Sequence, residues 1–196
     1  EENEESNPLT SVIATQDDKN TGGFDLDDNR LKYAIFPFHG LVDENGASDT
    51  KLTRTDVERL DTLCWRAMKN QTISRSKMGQ EPRLYVRVEY ATDGYHVGDL
   101  HNGFDLDSER SKPEAELRNV TDATVDVTKF VDRLASASGH IETVHFVGDE
   151  YLDVSYDGES YGTAADLGTL LEDHGVPTRE IEVYNEFEQT LPPAEE

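Results

Sequence analysis

The sequence predicts an α+β fold, ferredoxin-like in its second half, with an antiparallel sheet, helices on one face and inserted loops. Three observations predict it. Residues 120–184 read as strand, helix, strand, strand, helix, strand, which is the βαββαβ order of that fold. Residues 83–90 alternate, with Leu84, Val86 and Val88 on one face and Tyr85, Arg87 and Glu89 on the other, as a strand does. Just before them Val57, Leu60, Cys64, Ala67 and Met68 recur at helical spacing.

Taken in order, residues 11–15 have the composition of a short strand, and 16–30, rich in Gly, Asp and Asn, read as an exposed loop. Residues 32–42 are dense in β-formers and predict a buried strand, with a bulge or an edge position at Pro37, which cannot donate to a ladder. Residues 43–50 read as a turn-rich loop. A capping box of Thr55 and Glu58 opens a helix over 56–70. Residues 71–82 are polar and basic and read as a loop. After the 83–90 strand, Asp93-Gly94 marks a turn and a short strand is expected at 95–97. Residues 108–119 read as a linker. Strands at 120–127, 141–147, 151–156 and 179–184 and helices at 128–138 and 163–174 follow, with Gly148-Asp149-Glu150 as a tight turn.

Composition narrows the setting. The chain has 196 residues, 42 acidic against 18 basic, and a net charge of −24. A small soluble domain usually carries about 2–8 charges in magnitude, and self-repulsion on the larger scale opposes compactness. Leu, Ile, Val and Phe number 44, about 22%, which together with their patterning places the chain above the disordered class. A folded protein adapted to high salt accounts for both facts, because at about 1 M salt the Debye length is near 3 Å. Arg outnumbers Lys, 11 to 7. No apolar run approaches the ~18 residues a membrane span needs, and the opening run has no signal-peptide pattern. With Cys64 as the sole cysteine, neither a disulfide nor a cysteine-rich zinc site is available. The chain opens at Glu1 without methionine, which predicts a fragment of a longer protein.

The charge is unevenly spread. Lys51, Arg54, Arg59, Arg66, Lys69, Arg75, Lys77, Arg83 and Arg87 face only Asp56, Glu58, Asp61 and Glu81 within 51–87. That window is net +5 and the rest of the chain is −29. Cations spared in so acidic a chain point to a polyanion. The competing reading is that the arginines pair with acids elsewhere or lay their stems along the core. Asn70-Gln-Thr-Ile-Ser-Arg-Ser-Lys77 mixes amide, hydroxyl and cationic donors, the groups that contact phosphate and sugar. Tyr85, Tyr90, Phe38 and His39 are the nearby candidates for base stacking.

Other motifs point elsewhere and carry less. Gly158-Glu-Ser160-Tyr-Gly162 matches a nucleophile elbow, yet only His174 follows it, on the same helix, so a turn at Asp157-Gly158 running into a helix is expected. His96, Asp99, His101 and Asp105 offer metal-ligand types at close spacing, which keeps a metal-dependent nuclease or hydrolase open as an alternative. The aspartates at 25, 27 and 28, and at 149, 153 and 157, lack EF-hand order. Gly-Phe-Asp-Leu-Asp occurs at 23–27 and 103–107, too short for a repeat and read as solvated loops. Two formal glycosylation sequons, at Asn70 and Asn119, carry little weight without a secretory signal. Cys64 reads as a core residue. A third function class, an acidic protein-interaction module, also fits the composition.

Residues 61–90, and above all Ser-Arg-Ser-Lys-Met-Gly-Gln at 74–80 followed by a strand, resemble the Cas-seven family, the repeated backbone subunit of type I CRISPR Cascade, nearest its haloarchaeal I-B branch. Lys-Tyr-Ala-Ile-Phe-Pro-Phe-His-Gly-Leu-Val at 32–42 and Tyr-His-Val-Gly-Asp-Leu-His at 95–101 extend the likeness, which covers about 7–107 well and the remainder more loosely. The resemblance implies an RRM-like palm with inserted loops, residues 1–115 forming part of it with the basic RNA-contact segment and 116–196 a ferredoxin-like segment with an acidic tail. It implies a cytoplasmic, non-catalytic protein without a cofactor. Its partners would be CRISPR RNA, further copies of itself along that RNA, other Cascade subunits, and target DNA read through the guide. The RNA contacts it implies are Arg75, Ser76 and Lys77, with Lys69, Gln71 and Gln80 as neighbours and His39 as a further one. The family's N-terminal half, with the first strand of its core, is expected to be missing from this chain.

Overall fold

The computed structural model describes residues 9–12, 23–26, 33–71 and 79–183. The chain divides into two compact units, 1–34 and 35–196. In the first, β1 (Leu9–Val12) pairs antiparallel with β2 (Gly23–Leu26), Leu9 opposite Leu26. β1 starts two residues ahead of the expected strand, and 13–15 lie outside the described residues. β2 falls where a loop was expected. Its Phe24-Asp25-Leu26 alternation is too short to register between flanking Gly and Asp residues.

The second unit opens without regular structure over 35–42. The buried strand expected at 32–42 does not form there: Phe36 is 60% and Phe38 77% exposed. Pro37 lacks the donor a ladder needs. The expected turn-rich loop is instead a short helix, α1 (Glu44–Thr50), capped by Asp43 Oδ1 accepting from the Gly46 N–H at 2.7 Å. Helix α2 (Arg54–Lys69) follows at once. Its capping box is Thr53 with Asp56, not Thr55 with Glu58: the Asp56 carboxylate accepts from the Thr53 N–H at 2.9 Å and the Asp56 N–H reaches Thr53 Oγ1 at 3.3 Å. Both pairs have the same spacing, and the one that the preceding extended residue can enter is used.

Strand β3 (Leu84–Tyr90) is as expected. No strand forms at 95–97; the chain turns at Gly94 and the Val97 N–H is taken up by the Tyr90 hydroxyl at 3.0 Å. β4 (Asp105–Leu106), β5 (Thr124–Asp126), α3 (Thr128–Ser136), β6 (Ile141–Gly148), β7 (Asp153–Tyr156), β8 (Glu159–Thr163), α4 (Leu167–Asp173) and β9 (Thr178–Glu180) complete the unit. The α+β class holds. The strands form two sheets, β3-β6-β9 and β4-β5-β7-β8. β3 is antiparallel to β6, while β5–β7 and β6–β9 pair parallel. Each strand–helix–strand unit therefore leaves the four-stranded sheet and returns in the three-stranded one.

Residues 108–119, expected as a linker, are laid against β5. The Thr124 N–H donates to Ser111 Oγ at 2.9 Å, Lys112 pairs with Asp122 at 2.6 Å, and Leu117 is buried. The Gly158–Gly162 motif is a hairpin, not an elbow. Asp157 and Gly158 both have positive φ, 49° and 75°, as a two-residue hairpin turn requires, and Ser160 sits within β8 opposite Ser155. The second Gly-Phe-Asp-Leu-Asp copy is no solvated loop either: Gly103 is buried and the Phe104 ring lies 4.6 Å from that of Phe130.

The main core joins both sheets to α3 and α4. Phe130, Val131 and Leu134 on α3 and Leu167, Leu170 and Leu171 on α4 are buried, as are Val144 and Phe146 on β6 and Val154 on β7. Gly168 lets α4 close on β6; a Cβ there would lie 2.3 Å from the Phe146 ring. Leu171→Ala is expected to cost about 2–5 kcal/mol, whereas Leu63→Ala, at a site 47% exposed, should stay within about 0.5 kcal/mol. Urea unfolding of the two variants checks the contrast.

Candidate nucleic-acid interface

The basic window begins on α2, and an ionic contact sets how α2 lies. Asp61 is buried in the middle of the helix. Its carboxylate accepts from Arg87 Nε at 2.7 Å and Nη2 at 2.9 Å, and from the Tyr85 hydroxyl at 2.8 Å. Arg87 Nη1 reaches Glu89 at 3.4 Å. Glu89 also takes Arg54 Nη2 at 2.5 Å and lies 2.9 Å from His145 Nε2. The strand face bearing Tyr85, Arg87 and Glu89 therefore meets α2. In register beside it stand Val147, opposite Tyr85, and His145, opposite Arg87. A small apolar cluster of Trp65, Val147 and Val183, flanked by Tyr85 and Ile181, completes this contact. The other strand face, with Leu84, Val86 and Val88, lines up with the buried Phe146 and Val144.

This arrangement rotates α2 away from the apolar face its spacing predicts. Asp61, Thr62 and Trp65 are buried, while Leu60 and Leu63 are exposed and Cys64 is only half-buried. Cys64 is thus not a core residue; partial burial, then the charge of Asp61, pushes its thiol up. Burial, then the Asp61 charge, pushes the Tyr85 phenol up as well, so it stays a donor. For Glu89 burial alone would raise the carboxyl, but the His145 hydrogen bond and the Arg54 and Arg87 guanidiniums outweigh it and hold the group below its ordinary value.

The nine cations thus divide. Arg54, Arg59, Arg83 and Arg87 are ion-paired, Arg83 with both Glu81 at 2.8 Å and Asp149 at 2.7 Å. For these four the pairing reading is the correct one. Of the predicted contacts, Arg75, Ser76 and Lys77 lie outside the described residues. Lys69, Gln71 and Gln80 are exposed on either side of them. Lys69 ends α2, whose last turn also carries Arg66, and the Asn70 N–H closes that turn onto the Arg66 carbonyl at 2.9 Å. On the far side the Arg83 carbonyl accepts from the Asp149 N–H at 2.8 Å, fixing the start of β3. His39 is exposed and its ring lies 5.0 Å from that of His101.

The metal alternative is not supported by the geometry. Asp105 is engaged by Lys129 at 2.5 Å, His101 leans on His39, and among the described residues no group of three or more His, Cys, Asp or Glu is placed to hold a metal ion. Sequence reasoning missed the Asp61–Arg87–Glu89–His145 network. Its signal was present in the charged alternation of β3, where Arg87 and Glu89 share a face with Tyr85.

Fold and site together define an acid-rich α+β protein with one cationic segment strung between a helix end and a strand start. A family model described as CRISPR-associated protein Cas7 matches residues 2–128. A curated protein of Haloferax volcanii, named CRISPR-associated protein Cas7, is 54% identical over 186 residues, covering 95% of this chain and 54% of its own length. The chain belongs to the Cas7 family. It spans about half the length of that curated relative.

Asp61→Ala should cost about 3–5 kcal/mol, because it leaves the Arg87 guanidinium partly buried and uncompensated; chemical denaturation of the variant measures it. The Glu89 carboxyl, lowered in the folded state, contributes stability that is present above its ordinary pKa of 4.5 and is lost as pH falls through the folded value. Glu89→Gln should therefore flatten the acid limb of a stability–pH curve below about pH 4.5, read from thermal melts across that range.

Proposed function

We propose that this chain supplies a CRISPR RNA-holding segment of a type I Cascade backbone subunit and performs no catalysis itself. One observation carries the reading: Arg66, Lys69, Arg75 and Lys77 fall in the stretch 66–80, which contains no acidic residue in a chain of net charge −24. Elsewhere in the window Arg54, Arg59, Arg83 and Arg87 lie beside acidic residues and form ion pairs with them. Arg75, Ser76 and Lys77 would hold the phosphate–sugar backbone, with Lys69, Gln71 and Gln80 alongside and His39 as an outlying contact. Family membership supports a role in CRISPR defence. Copies of the subunit would line up along the RNA in the cytoplasm with other Cascade subunits, and target DNA would be read by the guide.

High salt shapes how such a site holds RNA. The logarithm of affinity falls linearly with the logarithm of salt concentration for every phosphate neutralised. Amide and hydroxyl donors such as Gln71, Ser76 and Gln80 lose far less, so they would carry a large share of the hold. Filter retention of a labelled CRISPR RNA by the chain, at several KCl concentrations, tests the proposal. Wild type should retain the RNA without cutting it. Arg75→Glu with Lys77→Glu should weaken retention at least ~10-fold and reduce the salt slope by about 2. Equal retention by the double variant, or cleavage dependent on a divalent ion, overturns it.

A further inference from the structure

The RNA-holding segment proposed above leaves α2 at Lys69 and enters β3 at Leu84, and both of its ends rest on one short stretch at the end of β6. On the helix side Trp65 packs against Val147. The last turn of α2 is closed there by the Asn70 N–H on the Arg66 carbonyl at 2.9 Å and the Gln71 N–H on the Met68 carbonyl at 3.3 Å. On the strand side Leu84 stands opposite Gly148 in the ladder, and the next residue, Asp149, holds Arg83 twice. The Asp149 N–H donates to the Arg83 carbonyl at 2.8 Å, and Arg83 Nη1 donates to Asp149 Oδ2 at 2.7 Å. Asp149 Oδ1 accepts the Tyr151 N–H at 2.5 Å, so the turn itself holds the carboxylate in that orientation. Main chain and side chain therefore fix the same residue, and both carboxylate oxygens are engaged. Val147 and Asp149, which support the two ends, are only two positions apart.

We infer that Asp149 is a positioning residue for RNA binding, 66 positions beyond the arginine it clamps. It touches no RNA. By holding Arg83 it sets the strand-side end of the segment at a fixed distance from the helix-side end. Arg75, Ser76, Lys77 and Gln80 are then offered with less chain freedom left to lose on binding, which is how preorganisation raises affinity. The pair suits high salt. The Arg83 and Asp149 side chains are 21% and 15% exposed, so ions screen their contact less than a surface one. Glu81, the other partner of Arg83 at 2.8 Å, is 56% exposed and contributes little beside it. This role rests on the function proposed above and adds to it a residue outside the cationic stretch.

The test compares filter retention of a labelled CRISPR RNA, at several KCl concentrations, by the wild-type chain, Asp149→Ala and Glu150→Ala. Both variants remove one negative charge from the same turn, and Glu150 is exposed. Loss of an acid by itself favours a polyanion, so Glu150→Ala should retain RNA at least as well as wild type. Asp149→Ala should instead weaken retention about 3–10-fold, with the salt slope unchanged because no phosphate contact is removed. Asp149→Asn keeps an acceptor for Arg83 and should recover part of the loss; where the alanine variant does not fold, it carries the same comparison. Leu171→Ala, assayed below its own melting temperature, should retain RNA like wild type, which separates positioning from general destabilisation. Unchanged retention by Asp149→Ala overturns the inference, as does an equal loss in Leu171→Ala. So does stronger retention with a slope steeper by about 1, which would mean that Asp149 withholds Arg83 from the RNA. In these cases the proposed function stands. A wild-type chain that retains no RNA overturns that function, and this role with it.

Discussion

The contact between Asp61 and Arg87 decides how half of the molecule is built. Two parallel hydrogen bonds, from Nε and Nη2, lock a helix to a strand with the geometry that suits guanidinium and carboxylate best. Neither group stands alone. Tyr85 donates to the same carboxylate, and Glu89 links Arg87 to His145 and Arg54. Such a buried pair is weak evidence for net stability, because desolvation offsets most of the attraction. What it does specify is orientation. Only one rotation of α2 brings Asp61 to Arg87, and that rotation also seats Trp65 on Val147 and Val183. A purely apolar contact would have accepted the flank with Leu60 and Cys64 instead.

That choice settles the charge pattern. A +5 window looks at first like a single patch. In space its members have different partners. The arginines near the start of α2 and along β3 face carboxylates from the helix, the strand and the turn after β6. Arg66 and Lys69 lie in the last turn of α2, where the carbonyl ends favour positive charge even without a ligand. Pairing therefore accounts for Arg54, Arg59, Arg83 and Arg87, and the helix end for Arg66 and Lys69.

Much of the second half was legible in the sequence because it is built from local, strongly patterned pieces. The helix at 128–136 and the strands at 84–90 and 141–148 lie where periodicity puts them. The hairpin strand β8 was hidden by Gly158, Ser160 and Gly162, residues that read as a turn and that only pairing with β7 makes a strand. The division of strands between two sheets was not readable, since sheet membership is set by long-range register. The 32–42 segment misled because its composition is that of a strand, yet strand formation needs a partner and no described strand pairs with it. The α2 face misled for the opposite reason. Hydrophobic spacing assumes that apolar contact chooses the buried side, and there a carboxylate chose it. In the candidate site, the cationic stretch was visible from charge alone, while the network that orients α2 required knowing that β3 presents its polar face to a helix.

High salt makes the distinction between these contacts sharper. The exposed pairs of α2, Arg54 with Glu58 at 3.7 Å and Arg59 with Asp56 at 3.9 Å, contribute little even in dilute buffer, and at about 1 M salt the screening length of near 3 Å is shorter than their separation. The Asp61–Arg87 contact is shorter than that length and largely out of solvent, so ions cannot enter between the partners. Apolar contacts do not weaken by screening at all. Under the conditions an acidic surface is made for, α2 is therefore held by one buried ionic contact and one apolar cluster. The Arg54–Glu89 contact at 2.5 Å also joins α2 to β3, but with the Arg54 side chain 71% exposed it stands open to ions in a way the Asp61 contact does not.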